Sequence, residues 1–159
     1  GAADIQGLEW SAQLSLTEQF SIGFNGNYTE TEFVEVSDSF TTYNVGDPID
    51  NTPKYSASLN AKLDFEGPFG SSSFALLDYS VQDGSLATNR RSIAPAPVHA
   101  ETDKINLLNA QIGMQWESFS VRLFGRNLTN ESAFTTANFL NIFSQSRPRT
   151  WGVDLSYDF

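Results

Sequence analysis

Apolar residues recur at every second position in about seven separate stretches of this chain, and that period of two constrains the fold more than any other feature. The last stretch, "RPRTWGVDLSYDF", places Trp151, Val153, Leu155, Tyr157 and Phe159 on one side, with Gly152, Asp154, Ser156 and Asp158 on the other. Such alternation describes a β-strand with one face in an apolar medium and the other in water. On this reading the strand runs to Phe159 itself. Leu8 to Leu16, Phe20 to Tyr28, Tyr55 to Phe65, Ser73 to Val81, Leu108 to Trp116 and Phe119 to Gly125 repeat the pattern. Within Ser73 to Val81, Phe74 and Leu76 break the polarity of the opposite face. No charge interrupts an apolar face between its ends, whereas Glu9, Lys62, Asp64, Asp78, Arg122, Arg126, Asp154 and Asp158 occupy the other faces. The expected fold is all-β and antiparallel, with no helix.

Alternation alone fits a soluble sandwich as well as a membrane barrel. The connections separate them. Residues 17–19, 66–70 and 117–118 are tight turns, while 35–53, 84–103 and 130–147 are long and rich in Ser, Thr, Asn, Asp and Pro. Short and long alternate strictly, which puts every long loop at one end, as in a transmembrane β-barrel. The aromatics sort in the same way. Phe20, Phe65, Trp116, Phe119, Tyr157 and Phe159 lie toward the short turns, and Tyr28, Tyr55, Tyr79 and Trp151 toward the long loops. Two such girdles suit rings held at the two membrane interfaces.

Composition narrows the classes further. With 40% hydrophobic residues the chain has the apolar content to fold. A net charge of −10, from 9 basic and 19 acidic residues, argues against a nucleic-acid partner. Cysteine is absent, so no disulfide framework or thiolate metal site is expected. No run reaches the length of a spanning helix. The opening "GAADIQGLEW" has neither the basic nor the apolar region of a signal peptide, so the protein is either not exported or begins further upstream.

The order "GLEWSAQ…FSIGFNGNYTETEF", "DNTPKYSASLNAKLDF", "FSVRLFGRNLTNESAF" and "RPRTWGVDLSYDF" resembles the C-terminal barrel portion of TonB-dependent outer-membrane receptors over nearly the whole chain. The strand entry "NTPKYS", the exit "GRNLTNE" at Asn127 and Leu128, and the final aromatic carry the likeness together. The resemblance implies an integral protein of the bacterial outer membrane, with a barrel of 22 strands around an N-terminal plug. Residues 1–159 would supply about seven C-terminal strands, and the plug is expected to lie outside this chain. An odd count of strands does not close a conventional bacterial barrel. Implied partners are outer-membrane lipid and lipopolysaccharide, the TonB complex acting through the plug, the barrel assembly machinery and a small-molecule ligand. Thr150, Gly152, Leu155, Tyr157 and Phe159 would form the assembly signal that such machinery reads. The implied function is active import of a scarce nutrient such as an iron–siderophore complex, a vitamin or a glycan. A passive pore or small structural outer-membrane barrel, a soluble sandwich-type binding module and an outer-membrane hydrolase are the alternatives.

Few residues invite a chemical reading. His99, the only histidine, stands in the loop sequence "APAPVHAETD" without the partners that a metal or catalytic site needs. No catalytic group, cofactor or metal site is expected. Arg90 and Arg91 suit a lipopolysaccharide phosphate or an anionic ligand at the outer rim, or plain solvent. Arg122 and Arg126 are expected to pair across the wall with Asp154 and Asp158. Glu35, Asp38, Asp47 and Asp50 crowd the first long loop at spacings that match no calcium loop. Asn27 and Asn127 match the glycosylation pattern, which carries no meaning in a bacterial membrane strand.

Overall fold

The computed structural model describes residues 1–37, 43–89, 98–137 and 143–159. Its strands are β1 (Ala2–Ser15), β2 (Phe20–Glu35), β3 (Tyr55–Glu66), β4 (Ser72–Gln82), β5 (Leu86–Asn89), β6 (Val98–Glu101), β7 (Ile105–Gln115), β8 (Phe119–Arg126), β9 (Phe134–Ala137), β10 (Phe143–Gln145) and β11 (Thr150–Tyr157). β1, β2, β3, β4, β7, β8 and β11 form one antiparallel sheet in that order, each beside its predecessor. These are the seven strands expected from alternation. The sheet is open, with β1 and β11 at its outer edges.

Register explains why the alternation is so strict. Leu14, Ile22, Ala61, Leu77, Ala110, Gly125 and Trp151 are successive cross-strand partners, so one uncharged row crosses all seven strands. The next row, on the other face, reads Ser15, Ser21, Lys62, Leu76, Gln111, Phe124 and Gly152. A slip of one residue anywhere would exchange the two faces. The first row begins beside the lower turn on β1 and ends at the upper end of β11. The strands are therefore staggered, as in a tilted barrel wall.

No second layer covers the apolar face. Among the described residues the buried apolar side chains are Tyr43, Ala87 and Ala133, none of them on the large sheet, while Leu59 and Leu123 are each 50% exposed and Leu155 67%. All the substantial contacts between elements join sheet neighbours. A soluble sandwich would bury this face against a second sheet. That alternative fails here.

The lower connections are as tight as expected. Thr17 Oγ1 accepts the N–H groups of Phe20 (2.9 Å) and Gln19 (3.2 Å) to close the first. The second is a 3-10 turn, Pro68–Gly70, in which Phe69 and Gly70 take φ of 56° and 70°. Trp116 N donates to Phe119 O (2.8 Å) across the third.

Three features differ from the sequence expectations. β1 and β2 continue well above Leu8 and Tyr28, pairing Gln6 with Glu30 and Asp4 with Glu32. Hydrophobic periodicity vanishes there while backbone pairing goes on. The loops at 84–103 and 130–147 each contain a two-stranded hairpin, β5 with β6 and β9 with β10. His99 accordingly lies on β6 opposite Thr88, not in an irregular loop. At the other end, β11 stops at Tyr157, two residues short of Phe159. Asp158 N still donates to Ser118 O (2.9 Å), so the chain stays docked although its last residue has left the strand.

Candidate functional site

The face opposite the apolar rows is mostly amide, hydroxyl and charge. Arg122 and Asp154 are register partners, and the guanidinium donates through both Nε (2.9 Å) and a terminal nitrogen to Asp154 Oδ2. Both side chains are about half exposed, so the pair orients the wall more than it stabilises it. Arg126 does not join Asp158. Its partner in register is Thr150, at the far end of the strand pair, and its guanidinium lies over the Phe124 ring at 5.2 Å. The expected second ion pair fails because antiparallel register separates those two residues by the length of β8. Lys62 pairs instead along its own strand with Asp64 (2.9 Å). Asn109 Nδ2 donates to Asp78 Oδ1 (3.2 Å), adding a cross-strand bond to the same face.

Phe74, Leu76 and Phe124 are among the apolar exceptions on this wall. Each phenylalanine has a glycine as cross-strand partner, Gly113 for Phe74 and Gly152 for Phe124. A Cβ at either glycine would collide with the facing ring. The ring covers backbone that would otherwise lie bare, which pins the register at both places. Gly26 with Trp10 repeats the device on the apolar face.

The motif "GRNLTNE" builds a clasp at the upper rim. Asn127, only 4% exposed, takes φ of 50°, a left-handed conformation asparagine tolerates well. Its Nδ2 donates to the carbonyls of Glu131 and Arg147, both at 2.8 Å, and its Oδ1 accepts Glu131 N (2.8 Å). Its own N–H donates to Asn109 Oδ1 (3.0 Å). One side chain thus ties β8, the stretch entering β9 and the approach to β11 to the wall. We expect Asn127→Ala to cost about 1–3 kcal/mol, because three backbone groups lose their partner at a site closed to water. Thermal unfolding of the membrane-inserted protein checks this, together with faster proteolysis of 130–147.

The first long loop packs against the inner flank of β2. Tyr43 packs against Phe33 with the rings tilted by 40° and 4.7 Å between centroids, and its hydroxyl donates to Asp50 Oδ2 (2.8 Å). Ile49 N donates to Thr31 Oγ1 (3.0 Å), and Asp47 Oδ2 accepts Asn44 N (2.6 Å). Asp47 and Asp50 therefore shape the loop. Among the described residues no three carboxylate, histidine or cysteine side chains gather as a metal site. Asp38, Arg90 and Arg91 lie outside the described residues. A polar recess of about 510 Å³ opens at the bases of the loops, lined among others by Thr29, Thr31, Thr52, Lys54, Glu101 and Lys104.

Toward the long loops, Tyr28 is the register partner of Tyr55, and its hydroxyl donates to Glu30 Oε1 (2.6 Å). Tyr79 donates to Asn106 Oδ1 (3.4 Å). Lys104 Nζ stands 5.5 Å from the Tyr55 ring centroid, and hydrogen bonding to Tyr55 followed by its charge raises the lysine above its ordinary pKa. The ammonium stays charged at neutral pH either way. Toward the tight turns, Trp116 stacks on Phe119 at 5.8 Å, Phe119 faces Tyr157 in register, and Tyr157 meets Phe159 edge to face at 5.3 Å. Phe20 faces Leu63, Phe65 faces Ser73, and Trp151 is 68% exposed at the upper end of the sheet.

A family model described as "TonB dependent receptor-like, beta-barrel" matches residues 1–128. The chain belongs to the TonB-dependent receptor β-barrel family. Barrels of this family are outer-membrane proteins, and the family is one of receptors rather than enzymes. The fold is similar to that of the ferric yersiniabactin uptake receptor FyuA from Yersinia pestis, with a TM-score of 0.78 and 19% identity over 99% of this chain and 24% of that one. FpvAI in complex with pyocin S2 gives 0.77 and 16%, covering 99% of this chain and 19% of the other. FpvA of P. aeruginosa, solved with a heterologous pyoverdine and iron, gives 0.75 and 17%, covering 99% and 20%. The chain thus spans about a fifth to a quarter of the length of these receptors. Among curated proteins none matches the sequence.

Within a barrel wall of this family, one further hollow falls on the outer face. It is a shallow apolar trough of about 790 Å³ where Ala61, Ala75, Ala110 and Gly125 interrupt bulkier neighbours. Its walls suit hydrocarbon, and they offer a polar ligand nothing to bond.

Proposed function

We propose that this chain is the C-terminal part of the wall of an outer-membrane receptor that imports a scarce nutrient. Barrel closure at 22 strands, a plug in the lumen and energy from the TonB complex through that plug complete the proposal. The carrying observation is the open seven-stranded sheet, uncharged on one face and polar on the other, with all its long connections at one end. An iron–siderophore complex is the favoured cargo class, because the similar structures are a ferric yersiniabactin uptake receptor and a receptor bound to pyoverdine and iron. The polar wall and the recess beside Lys54 would meet that cargo from the outside.

Phe20, Phe65, Trp116 and Phe119 form the periplasmic girdle of this proposal, and Tyr28, Tyr55, Tyr79 and Trp151 the outer one. Thr150, Gly152, Leu155, Tyr157 and Phe159 form the assembly signal. Its exposed side chains support this role, since Leu155 and Tyr157 on the edge strand, and Phe159 just beyond it, stand clear. Arg90 and Arg91 remain candidates for lipopolysaccharide or ligand contact.

Orientation provides the test. Protease added to intact cells carrying the complete receptor is expected to cut within 35–53, 84–103 and 130–147 and to spare 66–70 until the outer membrane is permeabilised. Cutting at 66–70 in intact cells would reverse the topology.

A further inference from the structure

Two of the long connections carry a hairpin of their own, β5–β6 with four residues in each strand and β9–β10 with four and three. A lone two-stranded ribbon is marginal in water. Each is braced at its base. In the second connection Ser85 N donates to Thr102 Oγ1 (2.9 Å) and Thr102 N to Ser85 O (2.9 Å). A Cβ on Gly84 would strike Thr102 O, so the two ends of that connection are drawn tightly together. In the third, Ala133 N donates to Ser146 Oγ (3.0 Å), Ser146 Oγ to Glu131 O (2.9 Å) and Ser146 N to Ala133 O (2.8 Å), next to the clasp at Asn127.

Asp103 joins the two braces. It stands in the corner 102–104 that leads from β6 into β7. Its backbone N–H donates to Phe134 O (2.9 Å), and its Oδ2 accepts Phe134 N–H (2.8 Å), so one residue of the second connection meets both backbone polar groups of the first residue of β9. A carboxylate makes the stronger kind of acceptor. The bond is nevertheless exposed to water, so the joint holds the hairpins together and can still break without unfolding the wall. Asp103 also lines the polar recess, beside Gly84, Ser85, Leu86 and Glu101. Asn51 N donates to Leu86 O (2.7 Å), which attaches the first connection to β5 as well.

We propose that Asp103 makes the second and third long connections one body, so that the two hairpins open and close beside the recess together. What the recess would hold rests on the receptor reading above; the coupling of its wall to β9–β10 does not. Two braced hairpins joined in this way move together until the joint breaks, and the coupling is reciprocal: whatever loosens either connection loosens the other. Hairpins without the joint would open as separate local units.

Hydrogen–deuterium exchange of the complete receptor, folded in dodecyl maltoside micelles, measures this. Asp103→Ala is expected to speed exchange across 132–137 and 143–146 about tenfold through the loss of one charge-assisted bond, although no residue of that connection is altered. Asp103→Asn keeps an acceptor oxygen and is expected to retain most of the protection. Ser146→Ala, which loosens the third connection at its own base, is expected to speed exchange at Asp103 N–H and across 98–102 as well. Variants that migrate as heat-modifiable, folded barrels and leave the neighbouring connection at wild-type rates overturn the coupling. Loosening that spreads from Asp103 to β9 but never in reverse overturns the single body. Faster exchange throughout β3 and β4 in Asp103→Ala also overturns it, since the residue would then support the wall in general. A receptor that shows the coupling in both directions and imports nothing leaves this inference standing and removes the transport reading.

Discussion

Replacing Leu59 by arginine is expected to destabilise the membrane-inserted wall by about 2–4 kcal/mol, while Asn60→Arg, one residue away, changes stability little. Leu59 stands in the apolar row Phe24, Leu59, Tyr79 and Leu108, and on its own strand it lies between the aromatic ends Tyr55 and Phe65. A guanidinium there must leave water for hydrocarbon or drag water in with it. Asn60 belongs to the polar row Gly23, Asn60, Asp78 and Asn109, where a new cation finds a carboxylate directly across the strand pair. Folding titrations of both variants into bilayers decide the matter. Equal tolerance at the two positions would mean that the faces have been assigned the wrong way round.

The second large effect is expected from the open edges. β1 and β11 each present one side with no partner in the sheet. In hydrocarbon every unsatisfied N–H or C=O costs several kcal/mol, and two rows of them exceed any stability a single domain holds. Expressed alone in detergent, residues 1–159 should aggregate or exchange strands into oligomers. Joined to enough further strands to close the wall, the same residues should migrate as a heat-modifiable, protease-resistant barrel. A protease-resistant monomer of the isolated chain would favour a small self-contained barrel instead.

How much of this was legible beforehand differs from element to element. The seven long strands follow from a local rule, since a strand between lipid and a wet lumen must alternate. Leu8 to Leu16 and Tyr55 to Phe65 display that rule without reference to any neighbour. The short turns and long loops were equally plain, because Pro, Gly, Ser and Asn mark them along the chain. Of the wall chemistry, the Arg122–Asp154 pair was foreseen and formed. The matching expectation for Arg126 and Asp158 failed, since sequence position fixes the face of a side chain but leaves its height in the sheet open.

Alternation alone determined the all-β class, the seven strands of the wall and their division into an uncharged and a polar face, because each depends only on what residues two apart must share. Tertiary structure decided everything that depends on register or on the wet ends of the wall. The upper reaches of β1 and β2, the hairpins β5–β6 and β9–β10, and the clasp at Asn127 lie beyond the alternating part of the wall, so no periodic signal records them. Asn127 reaches Arg147 across 20 residues of sequence, and Lys104 finds the ring of Tyr55 two strands away. Such contacts arise only once seven registers are set together, and no local pattern of residues encodes them.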